Sequence, residues 1–124
     1  MALEKLHFKA AEIENGVNDY GVLVVGFHSA DHYVTIQLDE SDEEDENLGM
    51  NTYHIERDDQ SFGNYGGVEQ VILSNRQVKV IPNKKGKKFL KCTEIVIKFD
   101  LNSTQLAKLK KNLSTIFKNT FKLA

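Results

Sequence analysis

Apolar and polar residues alternate with a period of two over several short stretches of this chain, then repeat at helical spacing near its end. The cleanest alternation is Tyr33–Leu38, which sets Val34, Ile36 and Leu38 on one face and Tyr33, Thr35 and Gln37 on the other. Before it, valine-rich Gly21–Phe27 reads as a buried strand, joined to it by a hairpin loop at residues 28–32. Asn51–Arg57 alternates again, with Tyr53 and Ile55 opposed to His54 and Glu56. Gly67–Leu73 and Gln77–Ile81 form a hairpin, with Asn75 suited to the positive φ of a short turn. Pro82 has no N–H to give a sheet and ends the second strand. Residues 83–88 then read as a basic, glycine-containing loop, and Phe89–Phe99 as a further strand. Glu4–Glu14 fits two periods: Leu6, Phe8 and Ala10 alternate, whereas Leu3, Leu6, Ala10 and Ile13 make a helical stripe. The turn signal at Asn15-Gly16 favours a strand.

The last element is a helix. Asn102 or Ser103 can cap it, Gln105 completes a capping box with Asn102, and Leu101 and Leu106 stand at the positions of a hydrophobic staple. Leu106, Leu109, Leu113, Ile116 and Phe117 share one face, with Lys118 and Lys122 near the negative end of the dipole. The expected fold class is α+β: a mainly antiparallel β-sheet with a C-terminal helix packed against it. A length of 124 residues suits a single domain, 1–124, able to bury a core without staples. No apolar run is long enough to span a membrane, and no early stretch has the layout of a signal peptide. Together with a lone cysteine, Cys92, this predicts a cytoplasmic protein with no membrane association.

Charge changes the picture more than composition does. Residues 1–78 carry 16 acidic and 4 basic side chains (−12), and residues 79–124 carry 2 acidic and 12 basic (+10). The two halves either neutralise each other or present opposite faces, the second giving a directed field. The most acidic run, Asp39–Glu46, reads as an exposed loop. Just after it, Leu48–Gly67 holds a strand, a dense polar cluster and a glycine pair.

No enzymatic apparatus is visible. His28 and His32 have the spacing of a helical metal pair but fall in a predicted loop, so no metal or other cofactor is expected. Cys92 lies in a predicted strand and reads as a structural thiol. The acidic run lacks the ligand spacing and central glycine of a calcium loop. Glu56, Asp58 and Asp59 show nothing in sequence to mark an acid–base pair; a hydrolase would bring them together in a cleft. The lysines of residues 84–91 have one aromatic neighbour, Phe89, so no nucleic-acid partner is expected.

Several segments resemble the Imm10 family of bacterial immunity proteins, partners of polymorphic toxins. They are Tyr33–Leu38, Leu48–Gln60 with its Glu-Arg-Asp-Asp-Gln run, Tyr65–Leu73 with its Tyr-Gly-Gly triplet, and the closing Ile95–Leu101 strand and helix. The resemblance covers roughly residues 21–117 and implies a small, non-enzymatic protein that binds a cognate toxin and occludes it stoichiometrically. A nuclease, with its basic substrate face, is one candidate target. Asp42, Glu43, Glu44, Asp45 and Glu46 could then occupy that face in place of phosphates. Glu56, Arg57, Asp59 and Gln60 are candidate toxin contacts. Tyr65, Gly66 and Gly67 are candidates for a structural corner. The contrasting role for Glu56–Gln60 is also structural, with Glu56 and Arg57 paired and Gln60 bonding backbone. A small adaptor or ligand-binding module is the alternative function, which a defined apolar pocket would favour. Monomer and homodimer stay open, because predicted edge strands can pair chains.

Overall fold

A computed structural model of the chain describes residues 3–39 and 53–124. The described strands form two five-stranded sheets. One is an antiparallel meander of β2 (Glu12–Val17), β3 (Leu23–His28), β4 (Tyr33–Leu38), β5 (His54–Arg57) and β6 (Asp59–Tyr65), adjacent in chain order. The other is mixed and contains β1 (Glu4–Lys9), β7 (Val68–Leu73), β8 (Gln77–Pro82), β9 (Cys92–Lys98) and β10 (Phe121–Leu123), in spatial order β1-β9-β8-β7-β10. Its two edges are the parallel pairs β1–β9 and β7–β10. A short helix α1 (Lys84–Leu90) joins β8 to β9, and α2 (Ser103–Phe117) follows β9.

One core collects the inward side chains of both sheets, including Val25, Phe27, Ile36 and Ile55 from the meander and Val71, Val80, Ile95 and Ile97 from the mixed sheet. Leu109, Leu113, Ile116 and Phe117 of α2 complete it, and the helix meets β2 and β3 on one side and β10 on the other. The Phe27 and Phe99 rings stack at 6.4 Å, and Tyr53 meets Phe117 edge-on at 4.7 Å. The α+β class therefore holds, with two sheets where one was expected.

The capping box of α2 is complete: Gln105 N–H donates to Asn102 Oδ1 at 2.8 Å, and Asn102 N–H donates to Gln105 Oε1 at 3.1 Å. Lys118 caps the other end, and Lys122 stands in β10 rather than in the helix.

Four local expectations are corrected. The stretch Glu4–Glu14 is strand, but divided: Ala10 N–H bonds Lys98 O in the mixed sheet, and Ala11 N–H bonds His28 O in the meander. Asn15-Gly16 lies inside β2, paired with Val25 and Val24, and the turn comes at Asn18–Gly21. Asn75 does not take positive φ; the described non-glycine residues that do are Asp58, Lys91 and Lys118.

The fourth correction concerns the basic loop, which is helix α1, so β9 starts at Cys92 rather than at Phe89. Asn83 caps α1 by accepting from Gly86 N–H at 2.9 Å, and Lys91 ends it in the left-handed region. A glycine in mid-helix reads as a loop signal, because it costs about 1 kcal/mol against alanine. Here the fold requires it. Gly66 and Gly67, at φ +71° and +93°, bring the backbone of Gly67 against α1. A Cβ on Gly86 would stand 1.9 Å from Gly67 O, and one on Gly67 would meet the Phe89 ring at 2.7 Å. Asn83 N–H donates to the same Gly67 carbonyl at 2.9 Å.

Gly86→Ala should therefore destabilise by about 1–3 kcal/mol, as overpacking does, although alanine is the better helix former. Urea denaturation checks this; an unchanged or higher midpoint would remove the proposed backbone contact.

Candidate functional site

The polar run Glu56–Gln60 forms the turn between β5 and β6. Arg57 faces Asp59 while Glu56 already faces Gly63, so residues 60–62 stand out of the ladder. The chain reverses at Asp58, whose φ is +64°, a conformation aspartate tolerates better than most residues. Asp58 Oδ1 accepts Tyr33 N–H at 2.9 Å, and Oδ2 accepts from His32 Nδ1 at 3.0 Å and Arg57 Nη1 at 2.8 Å. Burial pushes the Asp58 carboxyl up, but the bonds from His32, Tyr33 and Arg57 outweigh it and hold it below its ordinary value.

Arg57 turns inward. Its Nε donates to Leu90 O at 2.8 Å and Nη2 to Lys91 O at 3.4 Å, and the guanidinium lies 5.1 Å from the centre of the Phe62 ring. Leu90 and Lys91 lead into β9, so this one side chain ties the meander to the mixed sheet. The expected Glu56–Arg57 pair is not formed; Arg57 pairs with Asp58.

Glu56 points out of the sheet and accepts the Tyr33 hydroxyl at 2.5 Å. That bond, helped by burial, pushes the Tyr33 phenol up to about 12, so it stays a donor throughout the physiological range. Asp59 accepts from the N–H and hydroxyl of Ser61 at 2.8 and 2.9 Å, and Gln60 is exposed beside it at the tip. The three carboxylates thus serve three different sets of partners and do not converge. Tyr65 packs edge-on against His54 at 5.2 Å, and its carbonyl accepts Lys85 Nζ at 2.8 Å. Gly66 and Gly67 make the corner into β7. Residues Asp42–Glu46 lie outside the described residues.

Pairing across the meander assembles an outer face in rows: Glu12, His28 and Tyr33; then Glu14, Gly26, Thr35, Glu56 and Gly63; then Gly16, Val24, Gln37, His54 and Tyr65. It holds three glutamates and no lysine or arginine. The outer face of the mixed sheet is its opposite, with Lys5, Lys9, Lys79, Lys98 and Lys122 around Glu94. Lys5 and Lys79 share that carboxylate at 3.4 and 3.2 Å. The outer faces of the two sheets thus differ in sign, although Lys5 and Lys9 come from the acidic half of the sequence and most lysines of the basic half stand on α1 and α2. Sequence reasoning did not bring Tyr33 and His28 to this region, and it left Asp58 and His54, read within Leu48–Gly67, out of the candidate contacts. Alternation had put Tyr33 and Glu56 on polar faces, but not on the same one.

Other features carry less. Cys92 is buried at the start of β9, and burial pushes its thiol up. Among the described residues no group of histidine, cysteine and carboxylate side chains could hold a metal, and no helix is long and apolar enough to cross a membrane. A hollow of about 430 Å³ lies between Leu73, Leu106, Ala107 and Leu123.

The fold is thus a two-sheet α+β domain with a polar, tyrosine-bearing outer face. A family model, Immunity protein 10, matches residues 7–107. The chain belongs to this family, Imm10, whose name implies protection against a toxin. No curated protein and no solved structure matches it.

Two outcomes follow from the Arg57–Asp58 junction. Arg57→Ala should cost roughly 2–3 kcal/mol in chemical denaturation, since it strips a charged donor from two carbonyls and a half-buried carboxylate. Arg57→Lys should recover little, because an ammonium cannot reproduce the planar fork. The Asp58 carboxyl is held below its ordinary 3.8 in the fold, so its contribution is present above that value and lost as pH falls through the lower folded one. Asp58→Asn should accordingly flatten the acid limb of the stability–pH curve; a curve parallel to the wild type would count against the assignment.

Proposed function

We propose that this protein is the immunity partner of a toxin, which it neutralises by binding and covering the toxin's working surface one to one. Family membership across residues 7–107 carries the reading. The structural support is the outer face of the meander, where a tyrosine–glutamate pair stands among histidines and a second tyrosine. Such a surface suits protein recognition better than turnover, because its carboxylates are spread over different partners.

Within the polar run the roles divide. Arg57 serves the fold, and Asp58 holds the turn that presents its neighbours. Glu56, Asp59 and Gln60 are offered outward and are the proposed contacts. Tyr65, Gly66 and Gly67 form the corner that sets β6 against α1. The five carboxylates Asp42–Glu46, which stand in sequence between β4 and β5, are proposed to steer a basic toxin face toward the complex. A nuclease presents such a face, and a cytoplasmic complex would protect the producing cell.

The test is co-expression with the toxin domain encoded beside this gene, read by growth rescue and affinity capture. Rescue with a stable one-to-one complex is expected; neither rescue nor capture would remove that toxin as the partner. Neutralising Asp42–Glu46 should slow association at low salt and change little at high salt. An association rate indifferent to these charges at low salt would sink the steering role.

A further inference from the structure

We infer that the outer face of the meander sheet, centred on the Tyr33–Glu56 pair, is the surface that receives the toxin, and that the toxin meets it with lysine or arginine side chains. This rests on the immunity reading and adds the surface and the chemistry of the partner. Among the described residues no helix lies over this face. The apolar stripe of α2 joins the core, and α1 meets the meander at the Tyr65 end of β6.

Composition and geometry point the same way. Interface centres are enriched in aromatic residues and depleted of lysine, and here the outward positions of the five strands carry Tyr33 and Tyr65 and no lysine. Two histidine–tyrosine pairs flank the centre: His28 stacks on Tyr33 at 6.1 Å, and His54 meets Tyr65 edge-on at 5.2 Å. The glycines make room for them. A Cβ on Gly26 would stand 2.9 Å from His28 Nε2, and one on Gly63 would stand 3.2 Å from His54 Cε1. Glu56 between the pairs is held by the Tyr33 hydroxyl at 2.5 Å, which leaves its remaining lone pairs to accept a guanidinium or ammonium without reordering the side chain. The tyrosine rings beside it offer π faces to the same cation.

The sign of the face selects its partner. Among the described residues Glu12, Glu14 and Glu56 form no ion pair with a lysine or arginine; Lys108 of α2 and Lys85 of α1 reach only the Gly16 and Tyr65 edges of the face, and five further lysines stand on the other sheet. A basic toxin surface is drawn to the meander and turned away from the mixed sheet, so charge orients the encounter as well as holding the complex. A second copy of this chain, laying its lysine face on the meander, is the competing occupant.

The experiment measures binding of the full chain to the toxin domain encoded beside its gene, with thermal denaturation confirming the fold of each variant. Glu14→Lys, at an exposed position, and Glu56→Gln should each weaken the complex by about tenfold or more, as loss of a central charged contact does. Tyr33→Phe keeps the ring but frees Glu56, and should weaken binding less. Lys98→Gln and Lys122→Gln, on the opposite face, should leave affinity unchanged. If Glu14→Lys and Glu56→Gln bind as the wild type does, or only the lysine variants weaken, the surface is wrong and the immunity reading stands. If the wild type captures no toxin, that toxin is removed as the partner and the surface assigned to it falls with it. Self-association of the wild type that is abolished by salt and by Glu14→Lys, with toxin affinity untouched by that substitution, would assign the face to a second copy instead.

Discussion

The guanidinium of Arg57 is the one side chain on which the arrangement of this site depends. It leaves the last residue of β5, passes over the Phe62 ring and reaches the carbonyls that end α1, so that two sheets with separate hydrogen-bond ladders share a joint. The hydrophobic core draws the sheets together without specifying their lateral position, because apolar contact is not directional. A planar fork with fixed donors is directional, and it relates the β5–β6 turn to the start of β9. Asp58 supplies the counter-charge and, by binding Tyr33 N–H, places the turn beside β4. The positions of Glu56, Asp59 and Gln60 follow from that joint. Residues that face inward therefore determine what the outward ones can offer.

Close backbone packing supplies the second constraint. Gly67 and Gly86 approach so nearly that neither can carry a side chain, and Asn83 bonds the same carbonyl that Gly86 crowds. This contact explains why a lysine-rich, glycine-containing stretch is helical. A helix of seven residues is too short to persist by itself, and this one stands because Leu90 is buried and its first turn is pinned to the β6–β7 corner.

Much of this architecture was legible in the residues. Alternation located β4 and β5, a valine-rich run β3, and a hairpin pattern β7 and β8, and the Asn102–Gln105 capping box marked the start of α2. The family resemblance drew attention to the run around Glu56. Other elements were hidden for specific reasons. In β6, Asp59–Tyr65 combines aspartate, asparagine and glycine with little apolar alternation, and it is a strand because β5 offers it a ladder. Helix α1 was masked by a glycine that only a tertiary contact explains. The division at Ala10–Ala11 turns on which sheet each N–H finds, which has no local signal. At the site, Tyr33 and Glu56 are 23 residues apart in sequence and meet through strand register. Pairing in space, more than residue type, was the missing information.

The parallel pairing of β1 with β9 carries a consequence for how the chain is made. Residues from Glu4 onward find their partners only from Cys92 onward, whereas each meander strand pairs with its immediate neighbour in sequence. As the chain emerges during synthesis, the meander has all of its own hydrogen-bonding partners long before the mixed sheet can close. Until β9 appears, β1 has no sheet to join, and the inward face of the meander has no opposing layer to cover it. The surface bearing Tyr33 and Glu56 thus belongs to the half of the molecule able to pair early. Closure of its core waits for the lysine-rich half to arrive.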